Sequence, residues 1–211
     1  PPPPPPPFFF QPQHGIPHHA YSRWAGDVYK RQIENNSING WQGRLCWDIP
    51  FICSYNSLGV KIKNGYLIIT AKQENFGGKN YTSSRIKTQG NIFHTYGRID
   101  IRAKLPFGQG LWPALWMLGE NFSSTGWPSC GEIDIMEMIG GNGWNDRTVH
   151  GTVHWEDNGH ALYGGHNTLT SGRFADEFHV FSIIWTPSSI KWLRDDIQYH
   201  VIDINNLSAF H

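Results

Sequence analysis

The chain has 211 residues, of which 17 are Lys or Arg and 17 are Asp or Glu, so its formal net charge is zero. This balance provides no field that would attract nucleic acid or an anionic membrane surface, and we expect neither as a partner. The length predicts one domain large enough to bury a single core, and no apolar run approaches the ~18 to 20 residues of a membrane-spanning helix.

Residues 1–32 form a low-complexity segment that opens with seven prolines and continues through three phenylalanines into a stretch rich in His, Gln and Pro. Such a composition favours extended polyproline geometry and carries little core-building pattern. We therefore predict a disordered tail over residues 1–32 and a folded domain over residues 33–211. The segment also lacks the basic start, long apolar stretch and small-residue cleavage site of a signal peptide.

Three cysteines, Cys46, Cys53 and Cys130, are odd in number and lack metal-ligand spacing. They define neither a disulfide framework nor a zinc site. We interpret Cys130 as a small buried residue rather than a nucleophile.

From Val60 onward the chain reads as short strands separated by turn signals such as Asn64-Gly65. Residues 98–105 alternate cleanly, with charged side chains on one face and Ile99, Ile101, Ala103 and Leu105 on the other. Residues 149–155 and 180–185 continue the pattern, and no helix-length periodic stretch competes with it. The sequence therefore predicts an all-β, two-sheet sandwich.

Residues 110–119 contain a tryptophan-rich run in which Trp112, Ala114 and Trp116 alternate onto one face. Indole rings stack on the C–H faces of sugar rings, whereas burial in the core is the alternative role for tryptophan. Ten tryptophans in 211 residues disfavour core use for all of them.

Residues 131–137 read Gly-Glu-Ile-Asp-Ile-Met-Glu and carry three acids on a predicted strand. Strand alternation puts Glu132 and Asp134 on one face, and a β-bulge of one residue is needed to bring Glu137 to the same side. The two glutamates would then stand four strand steps apart, roughly 13 Å between Cα atoms, and lean inward to the ~5 to 5.5 Å typical of retaining glycosidases. A solvated strand face is the alternative interpretation.

Downstream, His150, Thr152 and His154 share one strand face. Two histidines four residues apart on a strand lie about 13 Å from each other, which is too far to chelate one ion, so a zinc site at these histidines is disfavoured. His150 is interpreted as a hydrogen-bonded structural residue.

Three motifs together resemble glycoside hydrolase family 16, specifically its laminarinase-like endo-β-1,3-glucanases. They are residues 131–137, the tryptophan run at 112–118, and Tyr-Thr-Ser-Ser-Arg at 81–85, and the resemblance covers about residues 60–200. It implies a β-jelly roll with a concave, sugar-binding cleft, a catalytic domain within residues 33–211, and secretion, because the substrate class is extracellular.

The resemblance also implies site roles. Glu132 would be the nucleophile, Glu137 the general acid/base and Asp134 the residue that tunes the nucleophile, with His154 bordering the acid/base. Substrate-binding candidates are Trp112, Trp116, the weaker Trp127, and Arg85, which is equally consistent with ordinary surface. Met136 is the inserted residue of the bulged motif, and it favours β-1,3-glucan over mixed-linkage glucan. The implied partner is a polysaccharide, no cofactor is required, and the sequence leaves a structural calcium ion open.

Among the departures from the family pattern, two concern turns and chain length. Asp195-Asp196 replaces the usual Asp-Gly turn and so lacks the glycine that left-handed turn geometry prefers. The chain stops at His211, where the family continues with further strands, so we expect a sandwich that is incomplete at its C-terminus.

Three other functions remain open. They are a non-catalytic β-glucan-binding module on the same fold, an inactive truncated fragment of the enzyme, and a carboxylate/histidine metal hydrolase. Retention of all three acids, Glu132, Asp134 and Glu137, favours an enzyme over a binding module.

Overall fold

A computed structural model describes residues 10–11, 53–55, 60–63, 65–76, 79–83 and 88, together with residues 93–211 apart from 142. The chain divides into two compact units. The N-terminal unit comprises Pro1–Pro7 and Pro17–Phe93, and the C-terminal unit comprises Phe8–Ile16 and His94–His211. Of the low-complexity segment, strand β1 (Phe10–Gln11) alone lies within the described residues. The disorder of residues 1–32 and the domain boundary at residue 33 stay predictions.

The described strands of the N-terminal unit form two small sheets. Their bounds are β2 (Cys53–Tyr55), β3 (Val60–Lys63), β4 (Tyr66–Ile69), β5 (Lys72–Phe76) and β6 (Lys79–Ser83). β3 and β4 form the antiparallel hairpin that the turn signal predicted, with Gly65 at a φ of 78°. β6 lies between parallel β2 and antiparallel β5.

The C-terminal unit is built almost entirely of strands. Their bounds are β7 (Gly97–Ala103), β8 (Ala114–Leu118), β9 (Glu132–Glu137), β10 (Thr148–Glu156), β11 (His160–Thr168), β12 (His179–Trp185), β13 (Ser189–Arg194) and β14 (Ile197–Asp203). Helix α1 (Phe122–Thr125) and two 3-10 turns at Asn145–Arg147 and Ser208–Phe210 complete it. Within the described part of the chain, helices are too short or too polar to cross a membrane.

These strands form two sheets. The five-stranded sheet has the order β1-β7-β12-β13-β14, and the four-stranded sheet has the order β11-β10-β9-β8, both antiparallel throughout. As the sequence predicted, the fold is an all-β, two-sheet jelly-roll sandwich. Both sheets have open outer edges within the described residues.

The core lies between the two sheets and follows the period of two along each strand. Its buried side chains from the four-stranded sheet include Ile133, Ile135, Val149 and Val153, and those from the five-stranded sheet include Ile99, Phe181, Ile183, Ile190 and Trp192. Full burial of one such side chain stabilises the fold by about 1.5 to 3 kcal/mol. The alternation therefore fixes which face of β9 and β10 turns away from the core.

One contact joins the two sheets at the position where the acids lie. The indole Nε1 of Trp192 on β13 donates to the backbone carbonyl oxygen of Asp134 on β9 at 2.7 Å. The indole reaches β9 across Gly151 of β10, where an added β-carbon would lie 2.3 Å from Cδ1 of Trp192. Only glycine leaves room for this ring, because that separation is far below van der Waals contact.

The β13–β14 hairpin turns through Asp195 and Asp196, which have φ angles of 49° and 64°. The left-handed geometry expected at this turn is present without glycine, and aspartate is among the few other residues that tolerate it. Oδ1 of Asp195 accepts the Val180 N–H at 2.9 Å, and its Oδ2 lies 2.8 Å from Nδ1 of His179. These bonds to β12 offset the strain.

Candidate active site

Strand register brings the predicted acids onto one face of the four-stranded sheet. Glu132 pairs with His154, Asp134 with Thr152, and Glu137 with His150. Directly paired residues of antiparallel strands share a face, so the acids and histidines lie together on the side opposite the core. The partners of Glu132 and Glu137 on β10 are four residues apart, so the two glutamates lie four strand steps apart, as the sequence predicted.

The β-bulge that the acid spacing required is present. Between the pairs Asp134–Thr152 and Glu137–His150, β9 has two intervening residues where β10 has Gly151 alone. The pairing with β8 shifts at the same place. Met136, the extra residue, is fully buried, so the bulge turns an apolar side chain into the core and returns Glu137 to the acid face.

Two tryptophans hold the two glutamates directly. Nε1 of Trp112 donates to Oε1 of Glu137 at 3.0 Å, and Nε1 of Trp127 donates to Oε2 of Glu132 at 2.6 Å. Trp116 lies on β8 opposite Asp134. The structure thus brings all three predicted tryptophans to the acids, and it gives two of them hydrogen bonds that the sequence did not indicate. Their role in sugar binding stays a prediction.

Asp134 is the most deeply buried of the three acids, with a side chain 2% exposed. Its carboxyl group is hydrogen-bonded to Glu132, and its Oδ2 lies 3.0 Å from Nε2 of His154. A carboxyl group so enclosed has little water to stabilise its charge. Its neighbours therefore govern whether it carries a proton.

Burial, reinforced by neighbouring acids, raises the pKa values of Glu132 and Asp134, while the hydrogen bond with Glu132 acts in the opposite direction on Asp134. Burial raises the pKa of Glu132 well above its ordinary value, and the charge of Asp134 adds to this against the opposing influence of His154 and Trp127. Burial also raises the pKa of Asp134, followed by the charge of Glu137. The Glu132–Asp134 pair consequently keeps a proton well above the pH at which an exposed carboxyl group ionises.

A further histidine, which the sequence reasoning missed, lies beside His154. Nε2 of His160 on β11 is 2.8 Å from Nδ1 of His154, and the two rings stack with centroids 5.1 Å apart. The signal available was the break at Asn158-Gly159. That hairpin sets the register that pairs His160 with Glu156, two residues from His154 and on its face.

The other predicted residues are placed as follows. Arg85 lies outside the described residues, so its predicted contact with a sugar stays a prediction. Cys130 is a free thiol that is 2% exposed, which confirms the predicted burial, and burial raises its pKa, which disfavours a role as a nucleophile. His150 is half-buried, and burial, followed by the neighbouring His166, lowers its pKa. In the part of the chain that the structure describes, no group of three or more His, Cys, Asp or Glu side chains could hold a metal ion.

Two glutamates and an aspartate on one face of a β-sandwich strand match the paired carboxyl groups through which most glycosidases act. Residues 50–209 match the sequence model of Glycosyl hydrolases family 16, and the chain belongs to this family.

Two of the similar curated proteins are named for β-glucans. The chain is 45% identical over 145 residues to a β-glucanase from Rhodothermus marinus. The match covers 66% of this chain and 49% of the relative. It is 37% identical to a β-1,3-glucan-binding protein from Penaeus monodon, covering 58% and 35% of the two chains. The chain thus spans half or less of the length of these two curated relatives.

Among solved structures, the chain is similar to the laminarinase catalytic domain from Thermotoga maritima MSB8. The TM-score is 0.68 at 38% identity, and the match covers 81% of this chain and 73% of the other.

Proposed function

We propose that the chain is an endo-acting, retaining glycoside hydrolase that cleaves β-1,3-glucan of the laminarin type by double displacement. The observation that carries this proposal is the bulge in β9, which puts Glu132 and Glu137 on one face, four strand steps apart. Retaining glycosidases act through two carboxyl groups on either side of the scissile bond. The names of the similar β-glucanase and laminarinase support the same substrate class.

In the first step the Glu132 carboxylate attacks the anomeric carbon while Glu137 gives its proton to the departing glycosidic oxygen. The C–O bond of the glycoside breaks, and a glycosyl ester of Glu132 forms. In the second step Glu137 takes a proton from water, the water oxygen attacks the same carbon, and Glu132 leaves as a carboxylate. The two inversions retain the β-configuration.

Asp134 and Trp127 prepare the nucleophile in this scheme. The proton shared by the acid pair belongs on Asp134, which is buried more deeply, so that the charge falls on Glu132. In this scheme Glu132 accepts one hydrogen bond from the protonated Asp134 carboxyl and another from the Trp127 indole, whose Nε1 lies 2.6 Å from Oε2 of Glu132. As the glycosyl ester forms, Glu132 loses its negative charge, so its hydrogen bonds from Asp134 and Trp127 weaken.

The substrate would lie in a concave cleft over the acid face, with glucose units stacked on Trp112 and Trp116. Trp127 makes a weaker platform, because one part of its ring is packed against His160 at a centroid distance of 4.5 Å. Met136 supports a preference for β-1,3-glucan, since it is the inserted residue of the bulge. Binding energy along the sugar chain orients the bond to be cut.

This function implies a secreted or extracellular protein, because polysaccharides of this kind lie outside cells. The proposed steps need protons and water but no cofactor. A chelator should therefore leave hydrolysis intact unless a calcium ion supports the fold, and a melting curve in the same chelator distinguishes these two effects. Loss of hydrolysis at an unchanged melting temperature would instead indicate a metal hydrolase.

Reducing-sugar release from laminarin, lichenan, agarose and κ-carrageenan tests the proposal. We expect the highest rate on laminarin, and we expect Glu132→Gln and Glu137→Gln each to lower that rate by at least about a thousandfold. Glu177→Gln is the matched control, because Glu177 is an exposed carboxylate just before β12 of the five-stranded sheet and should leave the rate unchanged.

The stereochemistry is tested separately by NMR of the first products. Early β-anomers support the retaining assignment, and early α-anomers contradict it. Azide should rescue the Glu137→Gln variant by forming a β-glycosyl azide, because azide attacks the glycosyl ester without needing a general base.

The similarity to a glucan-binding protein supports a second candidate, a module that binds β-glucan without cleaving it. Calorimetric titration of laminaritetraose at high protein concentration would then show saturable binding with no new reducing ends over hours. Presence of all three acids disfavours this candidate.

A further inference from the structure

The candidate site contains an unassigned histidine at its surface end. His160 is exposed on β11, and its Nε2 lies 2.8 Å from Nδ1 of His154. Nε2 of His154 in turn lies 3.0 Å from Oδ2 of the buried Asp134, which is hydrogen-bonded to Glu132. Four groups therefore form one hydrogen-bonded line from solvent to Glu132.

For a neutral His154, the hydrogen bond that Asp134 donates to Glu132 in the proposed scheme fixes the other directions in this line. If the protonated Oδ1 of Asp134 donates a hydrogen bond to Glu132, Oδ2 of Asp134 can only accept. Nε2 of His154 must then donate a hydrogen bond to Oδ2. A neutral imidazole has one N–H, so Nδ1 of His154 must then accept, and Nε2 of His160 must donate. His160 is thus the group that stabilises the His154 tautomer with its proton on Nε2.

The opposite tautomer would disturb the acid pair. With its proton on Nδ1, His154 would present a bare Nε2 to Asp134, and the Asp134 proton would turn toward the imidazole. Glu132 would lose that donor while it carries the negative charge. The tautomer of His154 therefore determines whether Glu132 keeps its hydrogen bond from Asp134.

The position of His160 is itself fixed. Its ring packs on the Trp127 indole at a centroid distance of 4.5 Å, and the same indole donates to Glu132 at 2.6 Å. Trp127 thus contacts both ends of the hydrogen-bonded line, His160 through its ring and Glu132 through its N–H. Two independent contacts, one polar and one aromatic, thus link His160 to the nucleophile.

We propose that His160 is a positioning residue, which donates a hydrogen bond to His154 and so keeps the Asp134 proton directed at Glu132. This inference rests on the proposed hydrolase function for its effect on rate, and on the contacts alone for its effect on His154.

Three variants of the full chain separate the roles of His160. His160→Phe keeps an aromatic ring against Trp127 but removes the donor. His160→Gln keeps an amide N–H at the place of Nε2. His166→Phe is the matched control, because His166 is exposed on the same strand and face and its ring lies 6.1 Å from that of His150 rather than near Asp134.

Two measurements are made on each variant. Correlation of imidazole ¹⁵N and ¹H shifts reports the tautomer of His154 without any substrate, with its signals assigned by their loss in His154→Gln. Steady-state kinetics on laminarin reports kcat and KM separately.

We expect His160→Phe to lose the pure Nε2–H tautomer of His154 and to lower kcat by roughly tenfold to a hundredfold, with KM within about twofold. His160→Gln should retain the tautomer and restore most of kcat, and His166→Phe should match the wild type.

An unchanged His154 tautomer in His160→Phe would overturn the inference, as would a His160→Gln variant that loses as much kcat as His160→Phe. A wild-type chain that cleaves no glucan, but whose His154 tautomer responds to these variants, would overturn the proposed function while supporting the positioning of Asp134.

Discussion

Asp134 is costly to the fold. A buried carboxyl group between two glutamates is destabilised in its charged form, which is why its pKa is raised by burial and by Glu137. In the unfolded chain the same group ionises at its ordinary pKa. The folded state thus binds more protons than the unfolded state between these two pKa values, and its stability must fall as pH rises through this range.

Replacement of Asp134 by Asn should therefore stabilise the protein and inactivate it. We expect a gain on the order of 2 kcal/mol at about pH 7.5 and little gain at about pH 4, since each unit by which a pKa is raised costs about 1.4 kcal/mol on ionisation. Urea unfolding of both proteins at the two pH values measures this. A larger gain at the acidic pH would show that the sign of the pKa shift is wrong.

The bulge in β9 acts as a register device. Glu137 pairs with His150 even though Met136 adds one residue to the strand. Deletion of Met136 would restore simple alternation. Glu137 would then lie four positions after Glu132, an even number, so it would stay on the same face of the strand. Insertion of one alanine after Met136 would instead turn Glu137 toward the core.

We expect the Met136 deletion to stay folded, to keep more activity than Glu137→Gln, and to shift preference from laminarin toward lichenan. The alanine insertion should lose both activity and thermal stability. Rates on the two glucans and melting curves provide the comparison. A folded deletion variant as inactive as Glu137→Gln would contradict the role assigned to the bulge.

The Asp195-Asp196 turn gives a second prediction at the level of elements. Although partial burial opposes it, the hydrogen bonds from His179 and Val180 lower the pKa of Asp195. A carboxyl group with a lowered pKa contributes stability that is present above its unfolded pKa and is lost as pH falls through its folded pKa. Asp195→Ala should therefore destabilise the fold by about 1 to 2 kcal/mol at neutral pH and by less at about pH 3. Asp157→Ala, in the exposed β10–β11 hairpin, is the control and should have little effect on urea unfolding.

The sequence predicted the features that depend on local strand alternation, but it could not predict the contacts between side chains that are distant in the chain. The face shared by Glu132 and Asp134, the bulge before Glu137 and the alternation of β7 follow from the period of two, and all are present. The bond from Trp192 to Asp134 could not be predicted, because it depends on how one sheet stacks over the other. His160 was missed because its partner is the diagonal neighbour His154 rather than its directly paired residue.

At the scale of the whole molecule, the contact between the sheets predicts coupling between distant positions. Gly151→Ala should cost about 1 to 3 kcal/mol by overpacking against Trp192. In Trp192→Ala the ring atoms that the added β-carbon would meet are gone, so the same glycine substitution should cost less in that background. A double-mutant cycle measures the difference, and we expect an interaction energy of at least about 0.5 kcal/mol. The cycle of Gly151→Ala with Trp185→Phe is the control and should be additive, and equal additivity in both cycles would contradict the prediction.

The glycine at 151 also constrains how this lineage can evolve. A side chain at 151 overpacks against the Trp192 indole, so the less costly order begins with the substitution at 192. That first step removes the N–H that binds the Asp134 carbonyl, and so loosens the strand that carries the acids. Each single-residue path away from the pair therefore crosses a variant with a weakened site. Positions 151 and 192 should accordingly change together among descendants, or not at all.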